Sequence, residues 1–235
     1  MDQRPHRLTP GCSARLDEAL RFAAAAHHED VRKSTRIPYV MHPFHVALIL
    51  DRHGFSEDVV IAGLLHDVLE DPNYRAPAVQ ERLRAVVPAL RRSATDGSTF
   101  GQAVERYIED AFGQAVLDLI RHVTEQKRDS SGKKRDWRVR RQEQLEALEG
   151  ATVEQIALKA ADSLHNLVSI TIDIKADGIV IMNRFNAGPA STRWFNERAT
   201  ELITLRLGES HALSRELSGA LAEFLAALGP TDSAE

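Results

Sequence analysis

The segment from Val59 to Leu69 is apolar at nearly every position, yet its end carries four ionisable side chains, His66, Asp67, Glu70 and Asp71. Val59, Val60, Ile61, Ala62, Leu64, Leu65, Val68 and Leu69 must be largely buried, so the rest of the chain has to supply a core around them. Ser56 reads as the N-cap of this helix, with Glu57 and Asp58 in a first turn where the helix dipole favours carboxylates. The helix is expected to reach about Glu70 and to end before Pro72. His66 and Glu70 are four residues apart, as are Asp67 and Asp71, so all four groups can line one side of the helix end. Four ionisable groups on a buried helix are costly unless a metal or polar partners compensate them. A solvated acidic terminus is the structural alternative, but carboxylates at a helix C-terminus oppose the dipole.

Elsewhere the apolar period is helical and strand alternation is absent. Helices are expected over about Ser13–His28, His42–Asp51, a pair within Phe100–His122, Asp136–Glu149, Thr152–Ile172, Thr192–Leu207 and His211–Leu228. Val79, Leu83, Val86 and Leu90 also share helical spacing, interrupted by Pro88. Ser93 to Ser98 reads as a turn around Asp96-Gly97, and Gly150 as a helix stop. No repeat or low-complexity linker divides the chain. The expectation is one all-α domain, a helical bundle spanning 1–235.

Two further polar positions stand out. His42 opens a short apolar helix between Tyr39 and Pro43, where alone it would be a capping or core histidine. Asp162 lies inside the apolar helix Thr152–Ile172, with Lys159 three residues before it and Asn166 four after it on the same face. A buried Lys159–Asp162 ion pair is the structural alternative. Taken together, His42, His66, Asp67 and Asp162 offer two imidazoles and two carboxylates, a set suited to a divalent ion with open octahedral positions such as Mn²⁺. Glu70 and Asp71 are then placed to orient or deprotonate a water and to move protons near a leaving group.

The net charge of −4 offers no global attraction to nucleic acid or an anionic membrane, so a polyanion would have to be bound locally. Eight cations fall within the fifteen positions from Lys127 to Arg141, and Arg32-Lys33 precedes His42. Most of Arg128 to Arg141 reads as a solvated, mobile loop. Without interleaved aromatics beyond Trp137, it does not read as a nucleic-acid surface. The single cysteine, Cys12, fits a reducing cytoplasm. No signal-like stretch opens the chain, and no run approaches the roughly 20 apolar residues that span a bilayer. A cytoplasmic location is expected.

The motifs resemble those of the RelA/SpoT hydrolase domain of the HD phosphohydrolase superfamily, and most of all those of the stand-alone small alarmone hydrolases, the metazoan SpoT homologue among them. Phe22-Ala23-Ala24 through His27, Arg32-Lys33, Pro38-Tyr39 and His42-Pro43 match the opening motif. Leu64-Leu65-His66-Asp67-Val68 with Glu70-Asp71 matches the central one. Phe112-Gly113, Val123-Thr124 and Lys127 match the next, and Lys159, Ala161-Asp162, Leu164 and Asn166-Leu167 the last. The core motifs thus cover 16–169, with a possible insertion at 72–111 and a C-terminal helical tail at 190–228.

The resemblance implies an HD fold with one Mn²⁺ held by His42, His66, Asp67 and Asp162, and with Glu70 and Asp71 serving the nucleophilic water. It further implies removal of the 3′-pyrophosphate of guanosine tetra- or pentaphosphate to give GDP or GTP, with Arg32, Lys33, Lys127 and Asn166 contacting the nucleotide. The chain departs from the family at the longer Ser34-Thr35-Arg36-Ile37 loop, at Ser163, where a basic residue is usual, and at Val168-Ser169. These positions face substrate. Two other readings therefore stand beside the first: hydrolysis of another phosphorylated nucleotide, such as the 2′-phosphate of NADPH, and a regulator that binds a nucleotide without turnover.

Overall fold

Ser13 Oγ accepts from the Leu16 N–H and starts the first helix, α1 (Ala14–Ala26). It is followed by α2 (Met41–Arg52), α3 (Glu57–Leu65), α4 (Pro77–Val86), α5 (Gly97–Phe112), α6 (Gln114–Val123), α7 (Trp137–Glu149), α8 (Val153–Asp177), α9 (Gly188–Leu207) and α10 (Ala212–Leu228). Short 3-10 turns occupy Pro88–Arg92 and Ile179–Arg184. This computed structural model describes residues 13–33, 35–70, 74, 76–92, 97–129, 131–184 and 187–229. Cys12, Ser34, Asp71 and residues 93–96 of the expected turn lie outside them, while Gly97 and Ser98, expected in that turn, open α5. Among the described residues there is no strand, only the isolated bridges Val31–Pro38 and Arg128–Lys134, so the all-α expectation holds.

Every residue from Val59 to Leu65 is buried, as the apolar run requires. α3 packs against α1, α2, α6 and α8, and α8 packs in turn against α2, α6, α9 and α10. These two helices form the middle of the bundle. α3 can approach α2 closely because Gly63 has no side chain: a Cβ there would lie 2.7 Å from Leu50 Cδ1 and 3.3 Å from the Ala47 Cα. Arg15 ties the outside of the bundle together, donating to Asp58 Oδ1 and to the Phe112 carbonyl at 2.8 Å each.

α8 begins with a capping box, the Thr152 hydroxyl accepting from the Gln155 N–H while the Gln155 side chain accepts from the Thr152 N–H. It runs five residues past the expected Ile172, to a stop at Gly178 with φ +81°. The pair expected within Phe100–His122 divides at Gly113, whose φ of +95° breaks the helix between α5 and α6. The stretch 72–111 supplies α4, which packs on α1, and α5, which packs on α6.

One expectation fails where it matters for the site. α3 stops at Leu65 and does not continue to Glu70. The chain turns instead, with Val68 N–H donating to the Leu65 carbonyl and Glu70 N–H to the Asp67 carbonyl, three residues back in each case. Side-chain contacts to nearby backbone accompany this tighter turn: His66 Nδ1 lies 2.9 Å from the Gly63 carbonyl, and the Tyr74 hydroxyl donates to the Val68 carbonyl. The shared helical face expected for His66 with Glu70 is therefore absent, and the expected Asp67–Asp71 pairing falls outside the described residues. Ser56 occupies the N-cap position but makes no side-chain cap bond; its neighbours Glu57 and Asp58 pair with Arg15.

Candidate metal centre and nucleotide cleft

Three elements converge where α2 begins, α3 ends and α8 passes its midpoint. His42 comes from the first turn of α2, His66 from the turn after α3, and Asp162 from α8. One donor atom from each lies within 4.8 Å of the other two, and both imidazoles are buried. His42 Nε2 is 3.3 Å from Asp162 Oδ1 and 3.6 Å from Asp67 Oδ2, while His66 Nε2 is 3.2 Å from Asp67 Oδ2. Asp67 thus borders the three-donor set and reaches both rings. Its Oδ2 also accepts from the Tyr39 hydroxyl at 2.8 Å.

The donor set fits a divalent cation. His66 Nε2 is buried and makes no directed hydrogen bond, although its Nδ1 is engaged at the Gly63 carbonyl. A ring anchored through Nδ1 presents its Nε2 to the gap between the carboxylates, the arrangement common for metal-ligating histidines. Two imidazoles and a carboxylate with open positions match the preferences of divalent transition ions.

Electrostatics point the same way. Burial opposes charge on His66, but Asp67 and Asp162 outweigh it and push its pKa up to about 9. Burial alone would raise the Asp67 carboxyl, yet the His66 and His42 rings hold it well below the usual carboxylate range. Asp162 is likewise held low against burial, by Lys159, His42 and His66. The site is a cage of ionised carboxylates that favours positive charge. The Lys159–Asp162 pair weighed in the sequence is present, with Nζ 2.9 Å from Oδ2, and it leaves Oδ1 facing the histidines.

A cleft of about 510 Å³ opens from this cage. Arg32, Lys33, Lys127 and Asn166 all line it, together with Glu70. Arg32 donates to Asn166 Oδ1 at 3.1 Å, and Asn166 donates to Asp162 Oδ1 at 2.6 Å. Lys127 Nζ lies 2.9 Å from Glu70 Oε1, and Glu70 Oε2 accepts from the Glu125 N–H at 2.7 Å. Asp71 lies outside the described residues.

Much of the basic segment is solvent-exposed, as expected, but part of it is locally bonded and three of its cations border the cleft. The Asp129 carboxylate accepts from the N–H groups of Ser131 and Lys133, and Arg128 and Lys134 form an isolated antiparallel bridge. Lys134, Arg140 and Arg141 line the cleft, and Arg140 is buried in an ion pair with Glu125. The lining also includes Trp137 of α7 and Phe195 of α9, ring centroids 6.3 Å apart, and the Arg141 guanidinium sits 4.7 Å from the Phe195 ring. Tyr39, Lys134, Arg140, Arg141, Trp137 and Phe195 were not among the site residues read from sequence. Tyr39 lay within a quoted motif, and the register of Trp137, Arg141 and Gln144 on α7 was the available signal for the α7 residues; nothing local marks Lys134 or Phe195.

An HD-domain family model matches residues 19–177. Over 164 residues the chain is 30% identical to the guanosine-3′,5′-bis(diphosphate) 3′-pyrophosphohydrolase MESH1 of Drosophila melanogaster, covering 68% of this chain and 72% of that protein. It is 37% identical over 86 residues to the guanosine-3′,5′-bis(diphosphate) 3′-pyrophosphohydrolase of Aquifex aeolicus, which covers 37% of this chain but only 12% of that much longer relative. A solved structure described as a metazoan ortholog of SpoT that hydrolyses ppGpp shares the fold, with a TM-score of 0.61 and 23% identity over 90% of this chain and 96% of the other.

Proposed function

From the premise that this chain belongs to the HD-domain family, we propose that it is a metal-dependent hydrolase that removes the 3′-pyrophosphate of guanosine tetra- or pentaphosphate, giving GDP or GTP. The observation that carries this reading is the meeting of His42, His66 and Asp162 donors within 4.8 Å at the head of a cation-lined cleft. The named activity of the Drosophila and Aquifex relatives supplies the reaction. His42, His66, Asp67 and Asp162 would hold one ion, with Mn²⁺ the choice that suits the donor set. When bound, such an ion supplies a Lewis acid for phosphoryl oxygens and lowers the pKa of water.

The chain's own groups divide the remaining work. Arg32, Lys33, Lys127 and Asn166 hold the nucleotide and its phosphates, in a field that Lys134 and Arg141 extend along the cleft. Glu70, ionised beside Lys127, accepts the proton of the attacking water as the bond between phosphorus and the 3′ oxygen breaks. Asp71 shares in moving that proton toward the leaving group. Phosphate binding would draw Lys127 from Glu70 Oε1, while the Glu125 N–H still holds Oε2. Asn166 steadies Asp162 through its 2.6 Å bond.

The Trp137 and Phe195 rings that line the cleft would stack on any base, so a second reading, attack on another phosphorylated nucleotide such as NADPH, stands beside the first. A panel of nucleotides incubated with Mn²⁺-loaded protein, read by phosphate and pyrophosphate release, separates the two. Pyrophosphate from guanosine tetraphosphate supports the first. Orthophosphate from NADPH alone supports the second. Tight nucleotide binding without turnover overturns both in favour of a regulator.

A further inference from the structure

Two histidines beside the donor cage have no part in the scheme above. α2 carries His45 one turn after His42, and α8 carries His165 one turn after Asp162. His42 Nδ1 and His165 Nδ1 are 2.7 Å apart. The His165 ring stacks on His45 with centroids 4.7 Å apart and planes 17° off parallel. His45 Nδ1 in turn lies 2.8 Å from the Met41 carbonyl.

Two ring nitrogens at that distance share one proton, so one ring donates and the other accepts. His42 Nε2 faces Asp162 and Asp67, and a ring nitrogen that ligates a metal must offer its lone pair. The neutral His42 ring therefore carries its proton on Nδ1, which leaves His165 Nδ1 as the acceptor.

We propose that His165 is a positioning residue of the metal centre: its Nδ1 accepts from His42 Nδ1–H and aims the His42 Nε2 lone pair at the gap between Asp67, Asp162 and His66. His45 is the platform that fixes the His165 ring, itself held by the Met41 carbonyl. A backbone carbonyl or carboxylate is the commoner partner for a ligating histidine. This inference rests on the reading of His42 as a metal ligand.

The test is a calorimetric titration of metal-free protein with Zn²⁺ and with Mn²⁺, applied to the native chain, His165→Phe and His165→Asn. Phenylalanine keeps the ring and the stack but has no acceptor; asparagine restores an acceptor near the Nδ1 position. Affinity is expected to fall about 10–100-fold in His165→Phe, as for other outer-shell partners, and to recover most of that loss in His165→Asn. Nitrogen-15 spectra of the Zn²⁺-loaded native chain should show His42 protonated at Nδ1. Equal affinity in native protein and a folded His165→Phe, or a zinc-loaded His42 protonated at Nε2, overturns the role of His165 and leaves the metal reading standing. If His165→Phe does not fold, the spectra of the native chain decide. A native chain that binds neither ion overturns both.

Discussion

Tyr39 shows how much of this site depends on groups that hold other groups. Its hydroxyl donates to Asp67 Oδ2, so Tyr39→Phe should weaken metal binding about tenfold, toward the low end of outer-shell effects, without unfolding the protein. A metal titration beside a thermal melt checks both halves; an unchanged affinity would count against Asp67 as a ligand. Titration gives a second prediction at this scale. His66 is pushed up to about 9 by its carboxylate neighbours, so the proton it holds stabilises the metal-free fold fully below its unfolded value of about 6.5. That contribution fades as pH rises through 9. His165 is the reverse case: burial, then His42 and Arg32, push it down to about 3. The unfolded chain takes up this proton below about 6.5, so stability falls as the solution becomes more acid. Asp67 and Asp162, held low, add a further loss below about 4. With chelator present, urea midpoints should therefore peak near pH 6.5 and decline on both sides. A curve that climbs steadily from pH 6.5 to 9 would contradict the carboxylate cage.

At the scale of elements, helix positions were legible because the signals are local. The apolar spacing, the Gly150 stop and the breaking action of Pro88 each act within a turn or two of chain. The end of α3 was not legible. Its stop at Leu65 is accompanied by the His66 ring reaching Gly63 and by Tyr74 reaching back to Val68, contacts that no local pattern announces. The donor types were readable all the same, because His42, His66 and Asp162 each sit in an apolar segment where a polar group needs a reason. Which cations of the Lys127–Arg141 cluster turn inward was hidden, since that follows from how α7 docks on α9. Packing also yields a prediction. Gly63→Ala would set a methyl against buried Leu50 and the Ala47 backbone, so it should cost about 1–3 kcal/mol in a denaturant titration. A neutral result would mean that α2 and α3 can part freely.

For the whole molecule, the donor cage joins the parts of the chain that local signals leave separate. α2, the turn after α3, and α8 each bring one donor, so an ion bound there cross-links the middle of the bundle. Ion present at a hundred times its dissociation constant stabilises by about 2.7 kcal/mol. For a chain of this size that corresponds to about 5–10 °C in melting temperature, so EDTA should lower the melt by that amount and Mn²⁺ should restore it. The same convergence is what makes the molecule a hydrolase in this account. The most direct test is pyrophosphate release from guanosine tetraphosphate by the Mn²⁺-loaded protein, run beside His66→Ala. Release by the native chain that drops to background in the folded variant is the predicted result. No release across a range of divalent metals and pH, or release that survives the loss of His66, would contradict it.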